Sequence, residues 1–333
     1  MKEEGEGGED GVALWSVIKV DNGQTFHWVD TVEGLHAACA AIHTVASESS
    51  SPIAIDLEGV ALSRHGELCV VQVATGRTHV VWGFDIVVLG AASFAVLPEA
   101  AAAEQQHSLG TLLHDPALQK LFWDCRSDCN ALYYLYGIRP CNVLDLQLLE
   151  VAQRLVLGRP ASSVTGLGVV IERTPHARLS KADRARIASV KAQALALFSP
   201  KEGGAYAVWK ERPLRPVLRE YCTDAALFFT IQDSLLAGAP GLRSQEALEA
   251  LRAATHRRVL LSFSLQFDEV KTNKALAIGV DSLLVKELRT LGLVAAATEA
   301  AAAAGAAEEG TAGSSGGGAV EVDASSSGGG GKL

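Results

Sequence analysis

The feature that most constrains the fold of this chain is a series of short apolar runs that end at turns or at acidic residues. The run Pro52–Asp56 has the length of a buried strand and is too short for a helix. Strand-like runs follow at 67–74 and 78–82, and from residue 120 onward short strand-like runs alternate with helical patterns. This order predicts an α/β fold, a mixed sheet of about five strands flanked by helices.

The N-terminal and C-terminal parts of the predicted fold differ. A hairpin is predicted from the runs Ser16–Val20 and Phe26–Val29, which flank an Asn-Gly pair, and Thr31 is a plausible N-cap for the next helix. Additional helices dominate the C-terminal half of the chain; the patterns lie at 163–171, 183–197, 214–237 and 245–265.

The two ends of the chain lack the apolar side chains that a core needs. Residues 1–10 are acidic and residues 295–333 are rich in Ala, Gly and Ser, so both segments are predicted to be disordered. The predicted folded domain therefore covers 11–294.

Nothing in the sequence indicates a membrane or a secreted protein. No apolar run approaches the roughly 18 residues of a membrane span, and the acidic N-terminus lacks the apolar segment of a signal peptide. The 6 Cys residues show no paired spacing, which is typical of reduced thiols. We expect an intracellular protein of the cytoplasm or the nucleus.

The charge distribution leaves a nucleic-acid partner open. The net charge is -9, but residues 172–219 hold eleven Lys and Arg against four acids. Such a basic segment is compatible with a phosphate backbone as partner, and a solvated helix face explains it equally well. The candidates for phosphate contacts are Lys201, Lys210, Arg212, Arg215 and Arg219.

Two acids close the strand-like run at 52–56. Alternation along a strand sends Asp56 and Glu58 to the same side of the sheet. Like charges about 4 Å apart repel by about 1 kcal/mol in water, and a divalent cation such as Mg²⁺ or Mn²⁺ offsets that repulsion. A chance D-x-E pair is the alternative.

Two further elements carry acids in a suggestive context. Asp128 lies in the first turn of a helix predicted over 126–136, where the helix dipole favours an anion. Tyr221 and Asp224 share a face of the helix predicted over 214–237, where a phenol beside a carboxylate can hold a water over a metal site. An ordinary first-turn acid, and a core aromatic beside a surface acid, remain the alternatives.

Taken together, the three elements resemble motifs I, II and III of the DEDD 3′–5′ exonucleases in their ribonuclease D-like branch. Motif I is Ile55-Asp-Leu-Glu-Gly59, motif II is Lys120-Leu-Phe-Trp-Asp-Cys-Arg-Ser-Asp128, and motif III follows Arg212-Pro-Leu214. The resemblance covers about 26–240 and implies a ribonuclease H-like fold.

The resemblance also implies an activity and a set of site residues. A protein of this family removes nucleotides from the 3′ end of single-stranded RNA or DNA with two Mg²⁺ or Mn²⁺ ions; we expect RNA as the favoured substrate. The implied metal ligands are Asp56, Glu58, Asp128 and Asp224. Tyr221 takes the place of the tyrosine that orients or deprotonates the attacking water.

Motif III departs from the family pattern. The tyrosine branch places Tyr and Asp four residues apart, whereas Tyr221 and Asp224 are three apart and Ala225 stands at the expected position. On a continuous helix one residue is a rotation of 100°, so only a local bulge brings both side chains to the site. The altered spacing keeps a second hypothesis open, an exonuclease-fold adaptor that binds RNA without cleaving it.

Overall fold

The computed structural model describes residues 3–4, 14–19, 25–76, 80–95, 107–267 and 282–294. The strands are β1 (Glu3–Glu4), β2 (Ser16–Lys19), β3 (Thr25–Val29), β4 (Ile53–Val60), β5 (Glu67–Thr75), β6 (Val80–Asp85), β7 (Lys120–Phe122) and β8 (Val143–Asp145). The helices of the first half are α1 (Val32–Ser49), α2 (Ile86–Leu89), α3 (Leu109–His114), α4 (Cys125–Tyr136) and α5 (Leu146–Val156). Those of the second half are α6 (Leu167–Arg173), α7 (Lys181–Phe198), α8 (Pro216–Tyr221), α9 (Leu227–Gly238), α10 (Gln245–Ser262) and α11 (Ser282–Thr290).

All described strands join one mixed sheet in the order β1-β2-β3-β6-β5-β4-β7-β8. The central strand β4 pairs antiparallel with β5 and parallel with β7, and β7 pairs parallel with β8. The predicted α/β class with helices around a mixed sheet is confirmed. The sheet is wider than the expected five strands because β3 also pairs with β6 and thereby adds the N-terminal strands.

The predicted N-terminal hairpin is confirmed in its pairing. β2 and β3 are antiparallel, although the Asn-Gly pair between them lies outside the described residues. The side chain of Thr31 accepts a hydrogen bond from the Gly34 amide at 3.1 Å and caps α1, as its position before the helix predicts. The chain then crosses behind the sheet into β4.

Alternation along β4 divides the core into two layers. Ile55 and Leu57 pack on the face that α1 and α4 cover, whereas Ala54 faces the layer that contains α7, α8 and α9. Asp56 and Glu58 follow Ala54 at the strand's period of two, so their side chains point toward the second layer. The predicted common side of the two acids therefore follows from the strand itself.

The C-terminal helix α10 is tied to the sheet by a buried ion pair. The Arg258 guanidinium donates to Asp145 Oδ2 at 2.7 Å and to Gln147 Oε1 at 2.9 Å, and both members of the ion pair are almost fully buried. Asp145 also accepts a hydrogen bond from the Gln147 amide and caps α5. The helices after residue 240 are thus an integral part of the fold.

The two ends of the chain contribute little to the described structure. Glu3–Glu4 form a short edge strand; the other residues of the segment 1–10 and the tail 295–333, both predicted to be disordered, lie outside the described residues. None of the described helices is long and apolar enough to cross a bilayer. The six cysteines are free thiols.

Candidate functional site

The first element of the site is the end of β4. The buried Asp56 faces Gln72 of β5, whose Nε2 donates to Asp56 Oδ2 at 3.4 Å. The pairing register shifts between Glu58 and Gly59, and a Cβ at Gly59 would lie 2.0 Å from the Glu67 carbonyl oxygen. Only glycine allows this close approach of the two strands, so the local sequence fixes how motif I ends.

The second element follows β7. Because β7 runs parallel to β4, its carboxyl end and the start of α4 lie at the same edge of the sheet as motif I. Asp128 is fully buried in the first turn of α4. Asp124, at φ 55°, instead binds the Arg126 guanidinium at 2.6 and 2.9 Å, so this acid of motif II has a partner within the chain.

The third element corrects the single helix predicted over 214–237. Helix α8 ends at Tyr221, Asp224–Ala226 form a 3₁₀ turn, and α9 begins only at Leu227. Because the helix is broken between Tyr221 and Asp224, the rotation that a continuous helix would impose does not apply to this pair. The Ala225 amide donates to Gln72 Oε1 at 3.5 Å, so the same glutamine contacts motif I and motif III.

The carboxylates of motifs I and III raise the pKa of the same two residues, Tyr221 and Cys222. Burial raises the pKa of Tyr221 well above its usual value, and the charges of Glu58, Asp224 and Asp56 raise it further. Burial and the same three carboxylates also raise the pKa of the Cys222 thiol. The charges of Asp56, Glu58 and Asp224 therefore act together on Tyr221 and Cys222. Asp128 lies in the first turn of α4, at the same edge of the sheet.

The structure adds a residue that the sequence reasoning missed, Lys191 of α7. Its ammonium forms an ion pair with Asp224 and lies 4.9 Å from the centre of the Tyr221 ring. Burial alone would lower the pKa of Lys191, but the carboxylates of Asp224, Asp56 and Glu58 outweigh burial and raise it. No local pattern could have indicated this lysine, because it lies 33 residues before Asp224.

The donor set suits a divalent cation in its chemistry. Asp56, Glu58, Asp128 and Asp224 offer hard carboxylate oxygens, the ligands that Mg²⁺ and Mn²⁺ prefer. In the part of the chain that the structure describes, no three His, Cys, Asp or Glu side chains are grouped closely enough to hold a metal ion. The cation that contacts Asp224 in this arrangement is the Lys191 ammonium.

Four of the five basic residues predicted to contact phosphate have contacts within the chain; the fifth, Lys201, is exposed in a short turn. Their contacts are Glu67 for Lys210 (2.8 Å), Asp85 for Arg212 (2.6 Å), Glu211 for Arg215 (2.8 Å) and the Trp28 ring for Arg219 (5.6 Å). The pairs of Lys210 and Arg215 are about half exposed, and such pairs exchange partners at little cost. Arg212 is mostly buried and also donates to the Trp209 carbonyl, so its main contacts are internal.

Replacing Tyr221 with Phe is expected to change stability mainly at alkaline pH. The folded-state pKa of Tyr221 is raised above its unfolded value near 10, so its contribution is present below pH 10 and is lost as pH rises toward the folded pKa. Relative to Tyr221→Phe, the original chain should lose about 1.4 kcal/mol of unfolding free energy per pH unit above 10. Urea unfolding of both proteins between pH 8 and 11 measures the difference; parallel curves would contradict it.

Comparison with known proteins supports the resemblance that the motifs suggested. Residues 26–182 match the family model of a 3′–5′ exonuclease domain, a span that contains motifs I and II. Ribonuclease D from Trypanosoma brucei shares the fold, with 21% identity, a TM-score of 0.56 and coverage of 78% of this chain and 80% of that chain. Residues 26–182 are thus similar to a 3′–5′ exonuclease domain, and the chain shares its fold with ribonuclease D.

Two curated relatives match about a third of this chain. The mouse piRNA biogenesis protein EXD1 is 36% identical over 108 residues, which are 32% of this chain and 16% of that protein. Its human counterpart is 37% identical over 103 residues, or 30% of this chain and 17% of that protein. The Trypanosoma brucei ribonuclease D in complex with RNA U12 is also similar, at 22% identity, 78% coverage of both chains and a TM-score of 0.57.

Proposed function

We propose that this protein is a metal-dependent 3′–5′ exonuclease that shortens single-stranded nucleic acid, with RNA as the favoured substrate. The observation that carries the proposal is that Gln72 contacts Asp56 of motif I and the Ala225 backbone next to Asp224 of motif III, in a chain whose residues 26–182 match a 3′–5′ exonuclease domain. The broken helix at motif III makes that arrangement compatible with the shortened Tyr–Asp spacing.

The carboxylates have distinct places in this proposal. Asp56 and Glu58 at the end of β4, Asp128 at the start of α4 and Asp224 in motif III are the residues that would hold divalent ions. Ions bound there would lower the pKa of an attacking water and stabilise charge on the leaving 3′ oxygen. Gln72 helps to position Asp56 and motif III, because its side-chain amide donates to Asp56 Oδ2 and accepts from the Ala225 backbone amide.

Tyr221 has the role of orienting water. In its carboxylate surroundings the phenol stays protonated at neutral pH, since burial and three negative charges raise its pKa. A neutral phenol donates a hydrogen bond and does not accept a proton as a base. With its hydroxyl protonated, Tyr221 can donate a hydrogen bond to the attacking water, and this orienting role is the one that we propose.

The substrate proposal rests on relatives and on charge. A similar ribonuclease D binds the RNA U12, and the basic segment 172–219 adjoins motif III in sequence. The exposed Lys201 and the half-exposed Lys210 and Arg215 are the basic side chains best placed to meet phosphates. A nucleic acid must present its 3′ end to a buried site, and a single-stranded molecule enters such a site more easily than a duplex.

An RNA-binding adaptor without nuclease activity is the second candidate function. The observation that favours it is the ion pair between Lys191 and Asp224, because an ammonium already neutralises the motif III carboxylate. An adaptor would bind RNA with an affinity that falls with salt, and Asp56→Asn would leave that affinity unchanged.

A degradation assay separates the two functions. The full chain is incubated with 5′-labelled single-stranded RNA or DNA in Mg²⁺, in Mn²⁺ or in a chelator. We expect a ladder that shortens from the 3′ end with either ion, faster on RNA than on DNA, and no products with the chelator. RNA binding without shortening under any ion would reject the exonuclease and favour the adaptor.

A further inference from the structure

Helix α7 brings a positive charge to the motif III carboxylate. The side chain of Lys191 is only 16% exposed, its ammonium pairs with Asp224, and it lies 4.9 Å from the centre of the Tyr221 ring. Both contacts involve residues to which the proposed function gives a role, but Lys191 belongs to neither the DEDD motifs nor the predicted phosphate contacts.

The fold holds this lysine in place. The Arg186 guanidinium donates to Glu220 Oε1 at 2.7 Å and links α7 to α8, just before Tyr221. Val190, next to Lys191, packs in the core, and Ser180 caps the start of the helix through the Asp183 amide. After Lys191 the helix is held by the buried Ala194 and Phe198. Because the helix is fixed on both sides of Lys191, its ammonium is directed at Asp224 by packing and not only by charge.

Buried carboxylates such as Asp56 and Asp224 need positive charge nearby. Like charges about 4 Å apart repel, and burial strengthens the repulsion because the effective dielectric is lower than in water. In this structure the Lys191 ammonium supplies charge to Asp224. A divalent ion at the same carboxylate would meet a second cation within a few ångströms.

We propose that Lys191 is a built-in cation of this site, which neutralises Asp224 and competes there with a divalent ion. The inference rests on the proposed function for the role of Asp224 as a metal ligand. It follows that the motif III side of the site binds metal weakly as long as the lysine charge remains. Removing that charge turns Asp224 into a stronger metal ligand.

The experiment is calorimetric titration of the full-length chain with MnCl₂, without substrate. We expect Lys191→Met and Lys191→Gln to lower the Kd for Mn²⁺ at least about tenfold, since each removes a nearby positive charge. Lys191→Arg keeps the charge and is expected to leave the Kd unchanged. Lys181→Met is the matched control, because Lys181 is an exposed lysine at the start of the same helix.

Two further titrations separate the inference from the proposed function. Adding Asp224→Asn to Lys191→Met is expected to remove the gain in Mn²⁺ affinity, and Asp56→Asn tests whether the ion binds at this site at all. Equal Kd values for the original chain and Lys191→Met, with binding lost in Asp56→Asn, would overturn the inference alone. Mn²⁺ binding that neither Asp56→Asn nor Asp224→Asn weakens would overturn the inference and the proposed metal site together.

Discussion

Arg258→Ala is expected to lower the free energy of unfolding by about 3–5 kcal/mol, the cost of leaving a buried charge without its partner. Asp145 is fully buried, and its Oδ2 lies 2.7 Å from the guanidinium that the substitution removes. Gln147 loses a donor at the same time. For a chain of this size, about 2–4 °C of Tm per kcal/mol gives a decrease of roughly 6–20 °C.

The controls for this substitution use the same helix and the same pair. Arg252 is exposed on α10, so Arg252→Ala should change the unfolding free energy by less than about 0.5 kcal/mol. Asp145→Asn keeps an oxygen for the cap of α5 and removes the charge, so adding Arg258→Ala to it should cost less than in the original chain. An Arg258→Ala protein as stable as Arg252→Ala would show that the pair does not hold α10 to the sheet.

Asp56→Asn is expected to reduce the rate of 3′ shortening by roughly 10²–10³-fold, the usual loss when a group that stabilises transition-state charge is removed. The amide is nearly isosteric with the carboxylate, so the contact with Gln72 can persist while the negative charge is lost. Degradation of 5′-labelled RNA in Mn²⁺, followed by gel electrophoresis, measures the rate.

The matched control for Asp56 is another carboxylate of the same sheet. Glu67 at the start of β5 is exposed and pairs with Lys210, so Glu67→Gln should leave the rate within about twofold. Urea unfolding of both variants separates a loss of chemistry from a loss of fold. Retention of full activity by a folded Asp56→Asn protein would remove motif I from the mechanism.

The helix break at motif III gives the shortened Tyr–Asp spacing a physical explanation. A continuous α-helix would separate the directions of Tyr221 and Asp224 by the rotation of one missing residue relative to the family pattern. The 3₁₀ turn at Asp224–Ala226 changes the rotation per residue, and the Ala225 amide gains Gln72 as a partner in place of an α-helical carbonyl. The departure in sequence therefore does not by itself disperse the site.

Local sequence determined the parts of this protein that depend on short-range periodicity. The apolar runs and their alternation predicted the strands and the common face of Asp56 and Glu58. The cap residue Thr31 predicted the start of α1. Side-chain direction along a strand and capping at a helix start both depend on near neighbours in the sequence. The order and context of the motifs predicted the match of residues 26–182 to a 3′–5′ exonuclease domain. These inferences needed no knowledge of how the helices pack.

Only the tertiary structure decided which distant charges meet. The pair of Lys191 with Asp224 spans 33 residues and that of Arg258 with Asp145 spans 113. The width of the sheet was also decided at long range, because β3 pairs with β6 across α1, β4 and β5. The physical reason is that such contacts are selected by the packing of whole helices and strands, where burial forces each charge to find a partner, and no local pattern encodes that choice.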